Sequence, residues 1–86
     1  MTVAERFASN LLVARKRAGL SQEEVGFRAE LHRTEIGMLE RAERIPRLDT
    51  LARVAGAVGV DTCELTKGIV WTPSSREVGR YDVSDA

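Results

Sequence analysis

The sequence predicts a small all-α fold, a compact five-helix domain with a short polar C-terminal tail. Three observations predict it. Apolar residues recur at three- and four-residue spacing in successive runs, as one face of a helix requires. The first two runs open on a hydroxyl residue followed three positions later by Glu, at Thr2/Glu5 and Ser21/Glu24. Pro46, Gly59 and Gly68 then punctuate the later runs where a helix has to stop.

The first helix is expected from Val3 to about Ala18, capped by Thr2, with Phe7, Leu11, Ala14 and Ala18 as its inward stripe. Arg15 interrupts that stripe, and a charge there needs either a buried partner or a route to water along its own stem. Leu12 and Val13 lie off the stripe, as rim packing or as a contact surface.

A second helix starts at about Gln22, capped by Ser21 and Glu24, and carries Val25 and Ala29 on one face. Gly26 beside them permits close approach of another helix. After the three-residue connection Glu30-Leu31-His32 comes a third helix, with Ile36 and Leu39 inward and Arg33, Thr34, Gly37, Met38 and Arg41 outward. A connection of that length suits two helices that cross steeply. On geometry alone Leu20 to Arg41 is an αα-hairpin, a unit of many helical proteins with no nucleic-acid partner.

A polar loop, Ala42 to Arg47, ends the hairpin. The fourth helix is expected from Asp49, as its cap, to about Val58, with Leu51, Val54, Ala55 and Val58 as its apolar face and Gly59 as its terminator. Asp61 or Thr62 caps a short fifth helix, Cys63 to Lys67, with Leu65 turned inward. Residues 1–71 thus form the domain, with the hairpin at about 21–41, and 72–86 the tail. The tail is either disordered or, from the alternation of Val78, Tyr81 and Val83, an added strand and a dimerisation arm.

With 86 residues the chain makes one domain, and a thin-cored one. Such a chain buries only somewhat more than ~60% of its unfolded surface, so a partner subunit would help it. The single Cys63 excludes an internal disulfide, which suits a reducing cytoplasm. The first residues lack the apolar run of a signal peptide, and no segment approaches the ~20 apolar residues of a membrane span. One His, one Cys and no Gly-rich phosphate loop leave no catalytic or metal-ligating set, so no enzyme, no metal and no cofactor are expected. The paired Glu23-Glu24 stands at a helix start, where it complements the dipole. Net charge is zero. Basic residues nevertheless gather in the first 20 positions, where Arg6, Arg15, Lys16 and Arg17 face only Glu5.

Residues from about Phe7 to Gly68 resemble the helix-turn-helix domain of the lambda-type repressor and Cro family, also called the xenobiotic-response-element family of bacterial regulators. The resemblance runs through Gly19-Leu20-Ser21-Gln22-Glu23-Glu24, Val25, Ala29, Leu31, Ile36, Leu39 and Glu40-Arg41. It continues through Arg44, Pro46, Leu48, Thr50-Leu51 and Gly59-Val60. Three residues depart from it: Glu30 where the turn glycine is usual, His32 in place of a Ser or Thr cap, and Ala42 in place of a glycine after the third helix.

The resemblance implies a sequence-specific DNA-binding transcriptional regulator, a dimeric repressor-like protein that reads a near-palindromic operator with the 33–41 helix in the major groove. Arg33 is then the candidate for a bidentate contact to guanine O6 and N7, Thr34 for a base edge or a thymine methyl, and Met38 for an apolar contact, with Gly37 admitting the groove wall. Arg41 completes that outward set. Glu35 either accepts from cytosine N4 or lies along the rim and repels phosphate. Gln22 and His32 are candidates for phosphate contacts, His32 equally for a cap, and Arg44 and Arg47 for clamps along the backbone, unless Arg47 simply pairs with Asp49. The resemblance also implies an ion pair between Arg15 and Glu40, and a homodimer through the C-terminal third around Ile69, Val70 and Trp71. The rival reading is an antitoxin or an adaptor whose helix-turn-helix grips another protein, which the acidic Glu30 and Glu35 keep open.

Overall fold

A computed structural model describes residues 1–74 and 78–83. The tail positions 75–77 and 84–86 lie outside the described residues. Five helices follow one another: α1 (Val3–Arg17), α2 (Gln22–Ala29), α3 (Arg33–Glu40), α4 (Leu48–Val58) and α5 (Thr62–Leu65). They are followed by two short strands, β1 (Ile69–Thr72) and β2 (Arg80–Val83).

Both capping boxes form. The Thr2 hydroxyl accepts from Glu5 N at 3.1 Å while the Glu5 carboxylate accepts from Thr2 N at 2.8 Å. Ser21 and Glu24 repeat the exchange at 3.0 and 2.9 Å. Each box satisfies two of the N–H groups that a helix start leaves without partners.

Four helices end in one way. At Gly19, Glu30, Ala42 and Gly59 the backbone turns left-handed, with φ of +73°, +59°, +60° and +77°. The next residue then donates back five positions: Leu20 N to Arg15 O, Leu31 N to Gly26 O, Glu43 N to Met38 O and Val60 N to Ala55 O. This is the Schellman closure, which supplies donors to the last free carbonyls of a helix. Two of its four pivots are not glycine, and both flank α3.

The core collects one stripe from each helix: Phe7, Leu11 and Ala14, then Val25 and Ala29, Ile36 and Leu39, Val54, Ala55, Ala57 and Val58, and Leu65. Ala18, expected inward, is exposed, because α1 ends at Arg17 and the turn at Gly19 sends Leu20 into the core instead. Arg6 is buried among these apolar residues and donates to Ser9 Oγ at 2.9 Å. Asn10 ties α1 to the other end of the domain, its amide donating to the carbonyls of Leu65 and Lys67 at 2.9 Å each. Gly26 sets the spacing of the hairpin. A Cβ built there would stand 2.7 Å from the Leu31 carbonyl oxygen and 3.2 Å from Arg33 N, so α3 starts where only a glycine leaves room.

Two further boundaries differ from expectation. α4 begins at Leu48, with Arg47 at the cap position and no side-chain cap bond, so Asp49 sits inside the first turn, where its charge complements the helix dipole. α5 is shorter, Thr62–Leu65, with Asp61 at its cap position and likewise no side-chain bond. Thr66 closes it by turning its hydroxyl back to the Thr62 carbonyl at 3.3 Å. Finally, the helical fold carries a small addition, an antiparallel ribbon with Ile69 opposite Val83 and Trp71 opposite Tyr81. The Trp71 and Tyr81 rings meet edge to face, centroids 5.1 Å apart, and the indole lies so close over Gly79 that a Cβ there would come within 2.3 Å of it. Val78, weighed as part of the strand alternation, lies outside β2 and is 91% exposed.

Candidate nucleic-acid interface

α3 is held from behind and open in front. Ile36 and Leu39 are fully buried against α1 and α2, while Arg33 and Thr34 at its start are exposed. Its first turn is capped by His32, whose Nδ1 accepts from Thr34 N at 3.1 Å, so an imidazole does here what a hydroxyl does at α1 and α2. Glu30 allows the steep crossing by taking the left-handed conformation itself, at φ +59° and ψ +43°.

Behind α3 the charges are paired and shielded. Arg15 on α1 donates from Nε to Glu40 Oε2 at 2.6 Å and from Nη2 to Glu40 Oε1 at 3.0 Å. Its third donor, Nη1, reaches the Leu20 carbonyl at 2.9 Å. The two side chains are 14% and 5% exposed, and the hydrogen bond to Glu40 raises the Arg15 pKa above its ordinary value. A planar fork that fills both carboxylate oxygens offsets the desolvation that such burial costs. Gln22 joins from α2, donating from Nε2 to Glu40 Oε1 at 3.0 Å. With its amide nitrogen tied down, its Oε1 lies near Gly37, 3.5 Å from where a Cβ would stand. Gly37 is buried, not open: its missing side chain leaves the space taken by the Arg41 guanidinium, whose Nη1 would be 3.0 Å from that Cβ. Met38 is half-buried.

In front, each cation has an acidic neighbour. Arg33 Nη1 lies 3.2 Å from Glu23 Oε2, and Arg44 Nη1 lies 3.0 and 3.3 Å from the two oxygens of Glu35. Arg41 pairs with Glu43, which raises the pKa of the one and lowers that of the other. Arg47 Nε stands 3.5 Å from Asp49 Oδ1. The Arg47–Asp49 contact is one of the two alternatives that the sequence offers for Arg47. Arg33 and Glu23 are brought together only by the crossing of α2 and α3, and Arg44 and Glu35 only by the return of the loop, whereas Arg41 and Glu43 stand two residues apart. Among the described residues no group of His, Cys, Asp and Glu is placed to hold a metal ion, and no helix is long and apolar enough to cross a membrane.

The helix-turn-helix family matches residues 11–65, from the middle of α1 to the end of α5. Over 73 residues the chain is 36% identical to the HTH-type transcriptional regulator y4dJ of Sinorhizobium fredii, covering 85% of this chain and 95% of that one. It is 37% identical over 49 residues to the control protein C.BamHI of Bacillus amyloliquefaciens, covering 57% of this chain and 60% of that one. Among solved structures it resembles the restriction-modification controller protein C.AhdI of Aeromonas hydrophila, with a TM-score of 0.70 and 32% identity over 72% of this chain and 94% of that one. The chain belongs to this helix-turn-helix family and is a DNA-binding transcriptional regulator of the lambda-repressor-like class, a class of binding proteins and not of enzymes.

Proposed function

We propose that this regulator reads duplex DNA by laying α3 in the major groove, with Arg33 and Thr34 at the base edges, and binds its operator as a homodimer. The observation that carries the reading is the two-sidedness of α3: Ile36 and Leu39 are sealed in the core, while Arg33 and Thr34 at its start are exposed. Arg33 is the residue for a bidentate contact with guanine, Thr34 for a neighbouring base or a thymine methyl, and Met38 for an apolar contact further in. Gln22, anchored through Glu40, faces the backbone at the start of α2, with Arg41, Arg44 and Arg47 along the strand beyond and His32 between them. Gly37 serves by giving Arg41 room to fold across the helix. DNA as partner and a lone reduced Cys63 fit a cytoplasmic protein.

A second copy is expected at the ribbon. Val70 and Trp71 are 57% and 51% exposed, and Tyr81 packs on the indole beside them, so the ribbon presents an apolar patch next to Ile69, which anchors it in the core. Two copies joined there would present two α3 helices to one face of the duplex, about 34–36 Å apart, which calls for a near-palindromic site.

Selection of bound sequences from a random duplex pool tests the reading. Two inverted half-sites separated by about one helical turn are expected. Recovery of no preferred sequence would overturn it.

A further inference from the structure

We infer that Glu23 and Glu35 determine specificity by holding Arg33 and Arg44 in internal ion pairs, which suppresses binding to arbitrary duplex. The inference rests on the DNA-reading surface proposed above. Arg33, Arg41, Arg44 and Arg47 each face a carboxylate of this chain, two of them across elements: Arg33 from α3 to Glu23 on α2, and Arg44 from the loop to Glu35 on α3. A duplex attracts such a surface in proportion to the phosphates it neutralises and the counterions thereby released. A guanidinium already 3.0 Å from a carboxylate adds little to that sum, because the pair is neutral and the phosphate meets the acid together with the base. The Arg44 pair is the tighter of the two cross-element pairs: Arg44 reaches both oxygens of Glu35, whose side chain is only 27% exposed. The chain as a whole has no net charge that would draw it to DNA without these cations.

Random sequence offers phosphates alone, so there the acids remain on their arginines. At a cognate site the base edges give the Arg33 fork two fixed acceptors. The guanidinium then leaves Glu23 for a better partner, and α3 seated in the groove holds Arg44 against one phosphate that it takes in place of Glu35. An exposed pair of this kind is weak enough to be exchanged in that way.

The experiment compares Glu35→Gln, Glu23→Gln and the wild-type protein in salt titrations against a random-sequence duplex of about three helical turns and against the selected operator. Glu64→Gln on α5, which packs on α1 and α4, makes the same change in net charge away from α3 and is the control. For each interface variant, affinity for random duplex at about 0.1 M salt is expected to rise threefold to tenfold, with a salt slope steeper by about one unit. The ratio of operator to random affinity should fall, and Glu64→Gln should do neither. In an Arg44→Ala background the effect of Glu35→Gln should vanish. An equal rise for Glu64→Gln, or a Glu35→Gln effect that persists without Arg44, overturns the masking. A wild-type protein that prefers no sequence overturns the DNA-reading surface itself, whereas a clear preference unaltered by either glutamine variant overturns only the masking.

Discussion

Arg15 and Glu40 join α1 to the end of α3 through two parallel hydrogen bonds of 2.6 and 3.0 Å, and the same carboxylate also receives Gln22 from α2. One acid thereby fixes three helices of the binding unit relative to one another. Removing the cation would leave that acid 5% exposed with only an amide to hold it. Arg15→Ala is therefore expected to destabilise the fold by about 3 kcal/mol. Urea unfolding measures this, and a loss under about 0.5 kcal/mol would show that the pair is dispensable.

Arg33 and Arg44 are expected to separate base reading from backbone holding. Arg33→Ala should lose about 1–3 kcal/mol on the operator and relax the preference at one base pair per half-site. Arg44→Ala should weaken every single-base variant of the operator alike and flatten the salt slope of operator binding. Binding isotherms on a panel of single-base operator variants distinguish the two, and identical profiles for the two variants would count against the assignment.

Glu30 and Ala42 sit in left-handed backbone at the two ends of α3. There the Cβ crowds the following carbonyl at about 1–2 kcal/mol, part of which a glycine returns as backbone entropy in the unfolded chain. Glu30→Gly and Ala42→Gly should each stabilise the domain by about 0.5–1 kcal/mol, and Gly59→Ala should destabilise it by a similar amount. Thermal melts of the three variants check the signs. A lower Tm for both glycine variants would mean that the strain is already relieved elsewhere.

Acid should unfold the protein partly through its capping boxes. The Thr2 backbone N–H holds the Glu5 carboxyl below the ordinary glutamate value, and the Ser21 N–H does the same for Glu24. A carboxyl depressed in the folded state binds protons more readily once unfolded. Its contribution is therefore complete above the ordinary value and is lost as pH falls through the depressed one. The double variant Glu5→Gln, Glu24→Gln should flatten the acid limb of the stability curve between those two values. A curve that runs parallel to wild type through that window would assign the acid sensitivity to other groups.

The local grammar of the chain was legible from sequence because it depends on neighbours three and four residues apart. Thr2 with Glu5 and Ser21 with Glu24 open helices by bonds within a single turn, and Phe7, Leu11, Val25, Ile36 and Leu39 declare their burial by period. Family resemblance supplied the partner of Arg15, since nothing in the spacing of positions 15 and 40 pairs them. What the sequence left open depends on contacts between elements. Whether Ala18 or Leu20 enters the core is decided by the turn at Gly19. Whether Val78 joins the strand is decided by a ribbon register that pairs Thr72 with Arg80 and ends there.

The sequence by itself determined the helices, their order and the helix that faces outward, since periodicity and caps act within single segments. Only the tertiary structure decided that Gly37 lies beneath Arg41 and that Arg33 and Arg44 meet Glu23 and Glu35. Those side chains are brought together by the crossing of α2 and α3 and by the return of the loop. A charge reads the same in the sequence whether or not its neighbour in space carries the opposite sign.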